Sequence, residues 1–392
     1  MKRRLFLAGI GALAIRPADF SFRESPEFVS SSACANAQAR NSQTRETVNP
    51  KIQEISYPAV TPNYKLVFPR DHGAHPDFRT EWWYVTGWLR TSRGEDLGFQ
   101  VTFFRTRTSY ASDNPSVFAP RQILLAHAAL ADPKLGKLRH DQRAARPALA
   151  VAGAAEGTTR VWIDAWRMQL EGGTYRATIP ARDFTLDLAF ASTRAPLLQG
   201  TNGVSRKGRA ASEASYYYSR PALAVSGSIA RGAGIEAVTG QAWLDHEWSS
   251  QYMATGAAGW DWIGINLDDG GALMAFRMRG KDGGVLYAGG THMRADGRSQ
   301  ALEPGDVEFT PLRQWRSPRT ATTYPVAMRV RTKDSTWRIE PLFDDQELDS
   351  RSSTATIYWE GAVRAFREQA GGAAPAGKGY LELTGYWRPM RL

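Results

Sequence analysis

Glu81-Trp82-Trp83-Tyr84-Val85-Thr86-Gly87 opens an aromatic and β-branched run that reaches Leu89, and a second run, Leu97 to Phe104, follows across Thr91-Ser92-Arg93-Gly94-Glu95-Asp96. Two such runs joined by a polar, glycine-containing turn read as antiparallel strands. The pattern repeats outward at Gln122 to Leu130, Thr159 to Leu170, Thr174 to Ile179 and Thr185 to Phe190. It resumes at Gly259 to Leu267, Ala272 to Arg279, Val285 to Met293, Ala327 to Thr332, Ser335 to Leu342, Thr356 to Phe366 and Lys378 to Tyr386. No βαβ alternation occurs and no glycine-rich phosphate loop opens a helix, which disfavours nucleotide-binding α/β folds. A meander of this length must hide its edges, and the strand count suits two consecutive antiparallel β-barrels, each enclosing a pocket. The all-β reading places one barrel over residues 56–254 and the other over 255–392, with the boundary near Ala254 to Gly256.

Composition removes several function classes. Cys34 is the single cysteine among 392 residues, so a disulfide framework or a Cys-ligated metal is excluded within one chain. His72 and His75 form the closest histidine pair but lie in a Pro-flanked loop, so neither a metal nor a cofactor is expected. The formal net charge of +10 is scattered without a run of five basic residues, and Arg277-Met278-Arg279 and Arg329-Val330-Arg331 alternate as outward strand faces do. Nucleic acid is not expected as a partner. A serine-hydrolase elbow, Gly-x-Ser-x-Gly, is absent.

Residues 1–37 read as an export signal. Lys2-Arg3-Arg4 precedes an apolar stretch too short for a stable transmembrane span, and Arg3-Arg4 followed by Leu5-Phe6-Leu7 resembles the twin-arginine signal. Removing this segment takes five basic and three acidic residues, lowering the charge from +10 to +8. Residues 38–55 read as a linker, and the mature chain is expected in the periplasm or secreted.

The segment that carries chemistry is Trp243-Leu244-Asp245-His246-Glu247-Trp248. In a strand, Trp243 and Asp245 share one face while His246 and Trp248 share the other. An acid beside an indole on an inward face has its carboxyl pKa raised by desolvation and becomes a usable general acid. The alternative is a strand end, with Asp245 accepting backbone hydrogen bonds and His246 satisfied in the core. Tyr216 and Tyr218 in Ser215-Tyr216-Tyr217-Tyr218-Ser219 share a face and could relay protons or line a cation, or simply pack. Glu81, Trp82, Trp83, His127, Trp248, Trp260 and Trp262 are candidate ligand-binding residues, with aromatic core as the competing reading.

These motifs, with Tyr358-Trp359-Glu360-Gly361-Ala362-Val363 and Gly379-Tyr380-Leu381-Glu382-Leu383-Thr384-Gly385-Tyr386, resemble the secreted AttH and carotenoid 1,2-hydratase (CrtC-like) family over roughly residues 60 to 392. The resemblance implies two lipocalin-like β-barrel domains. It also implies chemistry of the kind found among members that hydrate an isolated C=C bond or isomerise hydrophobic natural products, beside a branch described only as hydrolases. By that resemblance Asp245 matches the proton-donating aspartate of an aromatic-x-Asp-His motif, with Trp243 as its aromatic neighbour and His246 as the motif histidine. The hydratases carry a His-x-Trp pair where this chain has Tyr216 and Tyr218. Two functions remain open: acid catalysis on a hydrophobic small molecule, with Asp245, Tyr216, Tyr218, Trp243 and His246 as its residues, or noncatalytic carriage of a lipid-like ligand, for example for an envelope ABC transporter.

Overall fold

The computed structural model describes residues 56–390 apart from 110–114, 117, 192–193 and 233. The expected export signal, Cys34 and the linker lie outside the described residues. Strands dominate. The first set is β1 (Thr80–Thr91), β2 (Asp96–Arg107), β3 (Gln122–Ala131), β4 (Arg139–Ala145), β5 (Ala152–Ala154), β6 (Arg160–Ile163) and β7 (Trp166–Glu171). It continues with β8 (Thr174–Pro180), β9 (Phe184–Ala191), β10 (Leu197–Leu198), β11 (Val204–Arg206), β12 (Ala214–Arg231) and β13 (Gly234–Gln251). The second set is β14 (Ala257–Leu267), β15 (Ala272–Gly280), β16 (Val285–Met293), β17 (Ser299–Leu302), β18 (Glu308–Arg316), β19 (Thr323–Thr332), β20 (Ser335–Pro341), β21 (Glu347–Asp349), β22 (Ile357–Gln369) and β23 (Gly372–Leu383). Among the described residues there is no α-helix, and no helix is long and apolar enough to cross a membrane.

The fold is all-β, built from two antiparallel sheets. The first has thirteen strands in the order β4-β3-β2-β1-β13-β12-β9-β8-β7-β6-β5, with β10 and β11 pairing β12, and it curls until β3 and β4 approach β6. It is a nearly closed barrel. The second has ten strands in the order β17-β16-β15-β14-β23-β22-β20-β19-β18, with β21 on β22, and it is open. One of its edges, β18, carries exposed Arg313 and Arg316 together with Pro311, polar and proline features that discourage edge pairing. Two details differ from the sequence reading. Thr159 to Leu170 is not one strand, because Asp164 at φ 51° turns the chain between β6 and β7. The polar strands β4, β17 and β18 have no apolar run to announce them.

The chain layers its cores by strand alternation. Trp83, Val85 and Leu89 of β1 face the interior of the first barrel, with Phe99, Val101, Phe103, Tyr218, Leu244 and Trp248. Ile263, Ile265, Trp337, Trp359 and Leu381 form the core of the second sheet. Between the sheets lies a third layer, in which Tyr84 and Trp88 of β1 meet Trp243, Trp262, Phe276, Ala362 and Tyr380. The approach is close enough that a Cβ on Gly98 would sit 2.6 Å from the Ala362 Cβ, so any side chain at this position would have to push the two sheets apart. Tyr84 donates to Glu360 Oε1 at 2.6 Å, Trp88 Nε1 to the Gly379 carbonyl at 3.0 Å and Asn266 Nδ2 to the Ala242 carbonyl at 3.1 Å, fixing one sheet on the other.

Residues 56–78 send side chains into the first barrel and anchor on one buried carboxylate. Glu81 accepts from Arg105 Nε at 2.9 Å, His246 Nε2 at 2.9 Å, and His75 through its backbone N–H at 2.9 Å and Nδ1 at 2.8 Å. Arg105 also donates to the carbonyls of His75 at 2.8 Å and Phe78 at 3.0 Å. Burial alone would raise the Glu81 carboxyl, but the histidine hydrogen bonds and the Arg105 charge hold it well below the usual carboxylate range. Removing one partner of a fully buried pair leaves an uncompensated charge, so Arg105→Met is expected to cost about 3–5 kcal/mol in urea denaturation at pH 7. Glu81 stabilises the fold fully above its unfolded value of 4.5 and progressively less as pH falls below it, so the gap between wild type and variant should shrink at pH 3. A gap that does not change with pH would refute this assignment.

Candidate active site

Pairing register decides which side chains meet between the sheets. Asp245 on β13 lies opposite Tyr84 on β1 and Ser219 on β12, while Glu247 lies opposite Trp82 and Tyr217. Directly paired residues point to the same side of a sheet, so Trp82, Tyr84, Tyr217, Ser219, Asp245 and Glu247 all face the second sheet. There they meet Trp260 and Trp262 of β14, Phe276 of β15, Glu360 of β22 and Glu382 of β23, around a cavity of about 160 Å³. This is the scale of an engineered cavity that holds a benzene ring. A larger groove of about 1460 Å³ is open and polar, and three of its arginines are paired in place, Arg182 with Asp141, Arg319 with Asp345 and Arg351 with Asp349.

Asp245 is buried and every oxygen is engaged. Trp243 Nε1 donates to Oδ1 at 2.6 Å, the Ser219 hydroxyl donates to the same oxygen, and Tyr217 donates to Oδ2 at 2.6 Å. Trp262 Nε1 in turn donates to the Tyr217 oxygen at 3.3 Å. Burial pushes the Asp245 carboxyl up and the Glu247 charge adds to it; the donors from Ser219, Tyr217 and Trp243 oppose this, and the balance is about 7. The carboxyl is therefore poised to hold or release a proton at neutral pH. Glu247 pairs with Lys207 at 2.9 Å, the ammonium of which lies 4.4 Å from the Phe276 ring centre. Burial also raises Glu382, to about 7, against a hydrogen bond from Trp260.

The expected site residues divide between two faces. Asp245 and Trp243 line or support the inter-sheet cavity, as do Trp82, His127, Trp260 and Trp262. His127, on β3 of the same sheet as Asp245, is bonded to Tyr358 and Ser353 at 2.8 Å each, and burial drives its pKa down to about 3. Tyr216, Tyr218, His246, Trp248, Trp83 and Glu81 point the other way, into the first barrel, so they cannot share a pocket with Asp245. Tyr216 bonds the Thr61 backbone N–H at 2.8 Å, and Tyr218 meets His72 Nδ1 at 2.8 Å and His246 Nδ1 at 3.2 Å. The tyrosine beside the acid is Tyr217.

The reason is a bulge. Counted back from the hairpin, Leu223 pairs Ala242, but Arg220 pairs Leu244, so two residues of β12, Pro221 and Ala222, oppose one of β13. Each single-residue slip flips every side chain beyond it to the other face. Without the bulge Arg220 would oppose Asp245, and Tyr216 and Tyr218 would face the cavity. Pro221 is the signal in the sequence, since proline inside a long strand marks a bulge. Ala222 takes φ 54° there, and its N–H is captured by Asn266 Oδ1 at 2.8 Å.

His75, Glu81 and His246 place their donor atoms within 4.8 Å of one another, an arrangement that could hold a metal ion. Their hydrogen bonds to each other and the Arg105 guanidinium on the same carboxylate fit an ion-pair hub better, because a cation there would face Arg105 directly.

Ionising Asp245 is disfavoured by the fold, so its contribution to stability falls as pH rises from the unfolded value of 3.8 towards 7. Asp245→Asn keeps an acceptor for Trp243 and Ser219 and can donate to Tyr217, so the variant should be more stable than wild type at pH 8, by up to about 4 kcal/mol, and by less at pH 5. Paired urea titrations at both pH values decide this; an equal difference at each would mean that Asp245 ionises as an ordinary surface aspartate does.

The AttH-like family matches residues 59–386. A protein from Nitrosomonas europaea designated AttH is 52% identical and superposes with a TM-score of 0.78, over 84% of this chain and 99% of that one. Kievitone hydratase from Nectria haematococca has a similar fold, with a TM-score of 0.64 at 14% identity over 85% of this chain and 97% of its own. No curated protein matches. With nearly all of the described fold matched, the chain belongs to the AttH-like family.

Proposed function

We propose that the protein binds a hydrophobic, ring-sized alkene between its two sheets and adds water to it by acid catalysis. The observation that carries this reading is Asp245, a buried carboxyl with a pKa of about 7 set in an aromatic cavity and coupled to a single phenol, Tyr217. When Asp245 is ionised, Tyr217 donates to it. When Asp245 is protonated, its O–H can donate a hydrogen bond to the Tyr217 oxygen, which frees the phenol O–H to face the ligand. The π electrons of the alkene take the Tyr217 proton, the phenol recovers one from Asp245, and the positive charge falls on the neighbouring carbon. Faces of Trp82, Trp260 and Trp262 are suited to that cation. Water adds to it and returns a proton to the Asp245 carboxylate, which closes the cycle without a cofactor.

Hydration is the reaction to test first, since a hydratase has the same fold. An exported chain would meet such a ligand in the periplasm or outside the cell. The second reading, a carrier, is favoured by the mainly apolar lining of the cavity and would leave the ligand unchanged.

Incubation with a panel of cyclic alkenes of single-ring size in H₂¹⁸O should yield a product heavier by one labelled water. Tyr217→Phe should lower its rate by about 10²-fold or more, as removal of a proton-transferring group does, and Asp245→Asn should abolish it. Recovery of an apolar ligand that stays unaltered in wild type and Asp245→Asn alike would establish the carrier instead.

A further inference from the structure

The wall of the cavity opposite Asp245 carries two acids of its own. Glu360 on β22 and Glu382 on β23 are direct partners in the register, so their side chains leave neighbouring backbone positions on one face and enter the same cavity. Glu360 is 1% exposed, and only one of its oxygens is used: Oε1 accepts from Tyr84 at 2.6 Å, whereas Oε2 has no hydrogen-bond partner among the described residues. Glu382 accepts from Trp260 Nε1 at 2.9 Å. A buried carboxyl oxygen without a hydrogen-bond donor costs free energy unless a donor or a positive charge compensates it.

The remaining ionisable groups around the cavity leave that demand unmet. Lys207 is occupied by Glu247 at 2.9 Å and by the faces of Tyr217 and Phe276, 4.9 Å and 4.4 Å away. His127 is kept neutral by burial and is already bonded to Tyr358 and Ser353. Tyr84 is spent on Glu360 itself, and Tyr217 on Asp245. Three carboxyls, Asp245, Glu360 and Glu382, therefore face a space rich in indole rings with no cation of their own among the described lining residues. Burial and repulsion from Glu382 push the Glu360 carboxyl up, and burial and the charges of Asp245 and Glu247 push Glu382 up, so the pair resists ionising together.

We propose that the Glu360–Glu382 pair makes this cavity selective for a cationic ligand, an ammonium group carried on a body of single-ring size. The inference rests on the cavity being the ligand site and deepens that reading, because an ammonium is the stable counterpart of the cation formed when an alkene is protonated there. The ammonium sits against Glu360 Oε2 and the indole faces. Its charge favours ionisation of the pair, and a proton carried by one of the two carboxyls leaves to solvent.

The test uses the full-length protein and two probes of equal shape, phenyltrimethylammonium and its neutral isostere tert-butylbenzene, titrated calorimetrically at pH 7 in buffers of different ionisation enthalpy. The ammonium should bind about tenfold more tightly or better, as expected for a desolvated cation against indole and carboxylate, and its heat should vary with buffer in the sense of proton release. Glu360→Gln and Glu382→Gln should each lower the ammonium affinity about tenfold and remove the buffer dependence. Unchanged binding of tert-butylbenzene by both variants would show that the cavity has kept its shape. Equal or tighter binding of tert-butylbenzene by wild type, no binding of the ammonium, or an ammonium preference that survives in both variants would each overturn the proposal. Absence of the preference in a wild type that still shows Asp245-dependent hydration would strike this inference alone, and a wild-type preference without hydration would strike only the catalytic reading.

Discussion

Burial of the central strands on both faces is the constraint from which the rest of this molecule follows. β1, β12 and β13 have no solvent side over the stretches that matter: one set of alternate residues fills the first barrel and the other set forms the contact with the second sheet. A strand buried on two faces reads as a near-continuous apolar run. Each residue is thus assigned to one of two separate environments by parity alone. The bulge at Pro221 and Ala222 sets that parity for β12, and through it selects the phenol that meets Asp245.

The two environments treat buried acids in opposite ways. Glu81 and Asp245 both lie fully inside the protein, one opposite the other face of the same pair of strands. Glu81 is surrounded by a guanidinium and two imidazoles, and its charge is the stable form. Asp245 is surrounded by neutral donors, with Glu247 as a like-charged neighbour, and its proton is held to about neutrality. The difference is one of partners rather than depth. It turns the first acid into an anchor for residues 56–78 and leaves the second with chemistry available to it.

Much of the fold was legible in the sequence, because apolar runs of strand length separated by glycine turns admit few other readings. Strands that lack such runs, like the polar β4 and the exposed β18, carried no signal of that kind. Asp245 and Trp243 were legible as a pair for the same reason, since residues two apart in a strand must share a face. Their cross-strand partners were not, because a face can be counted along one strand but crosses to another only through the register. Tyr217 sits between the two tyrosines that the alternation favoured, and Pro221 was the one residue that announced the slip. Glu360 and Glu382 were visible in the carboxy-terminal motifs, yet only the packing of one sheet on the other turns them towards Asp245.

The contact at Gly98 has a consequence for how such a molecule diversifies. The walls of the cavity belong to different sheets, and their spacing is set in part where Gly98 meets Ala362, at residues that do not line the cavity. A methyl group added or removed at such a seam would act as a shim, changing the clearance between the walls while every lining side chain stays as it is. Size selectivity could then drift through the seam, independently of the acids and indoles that set the chemistry.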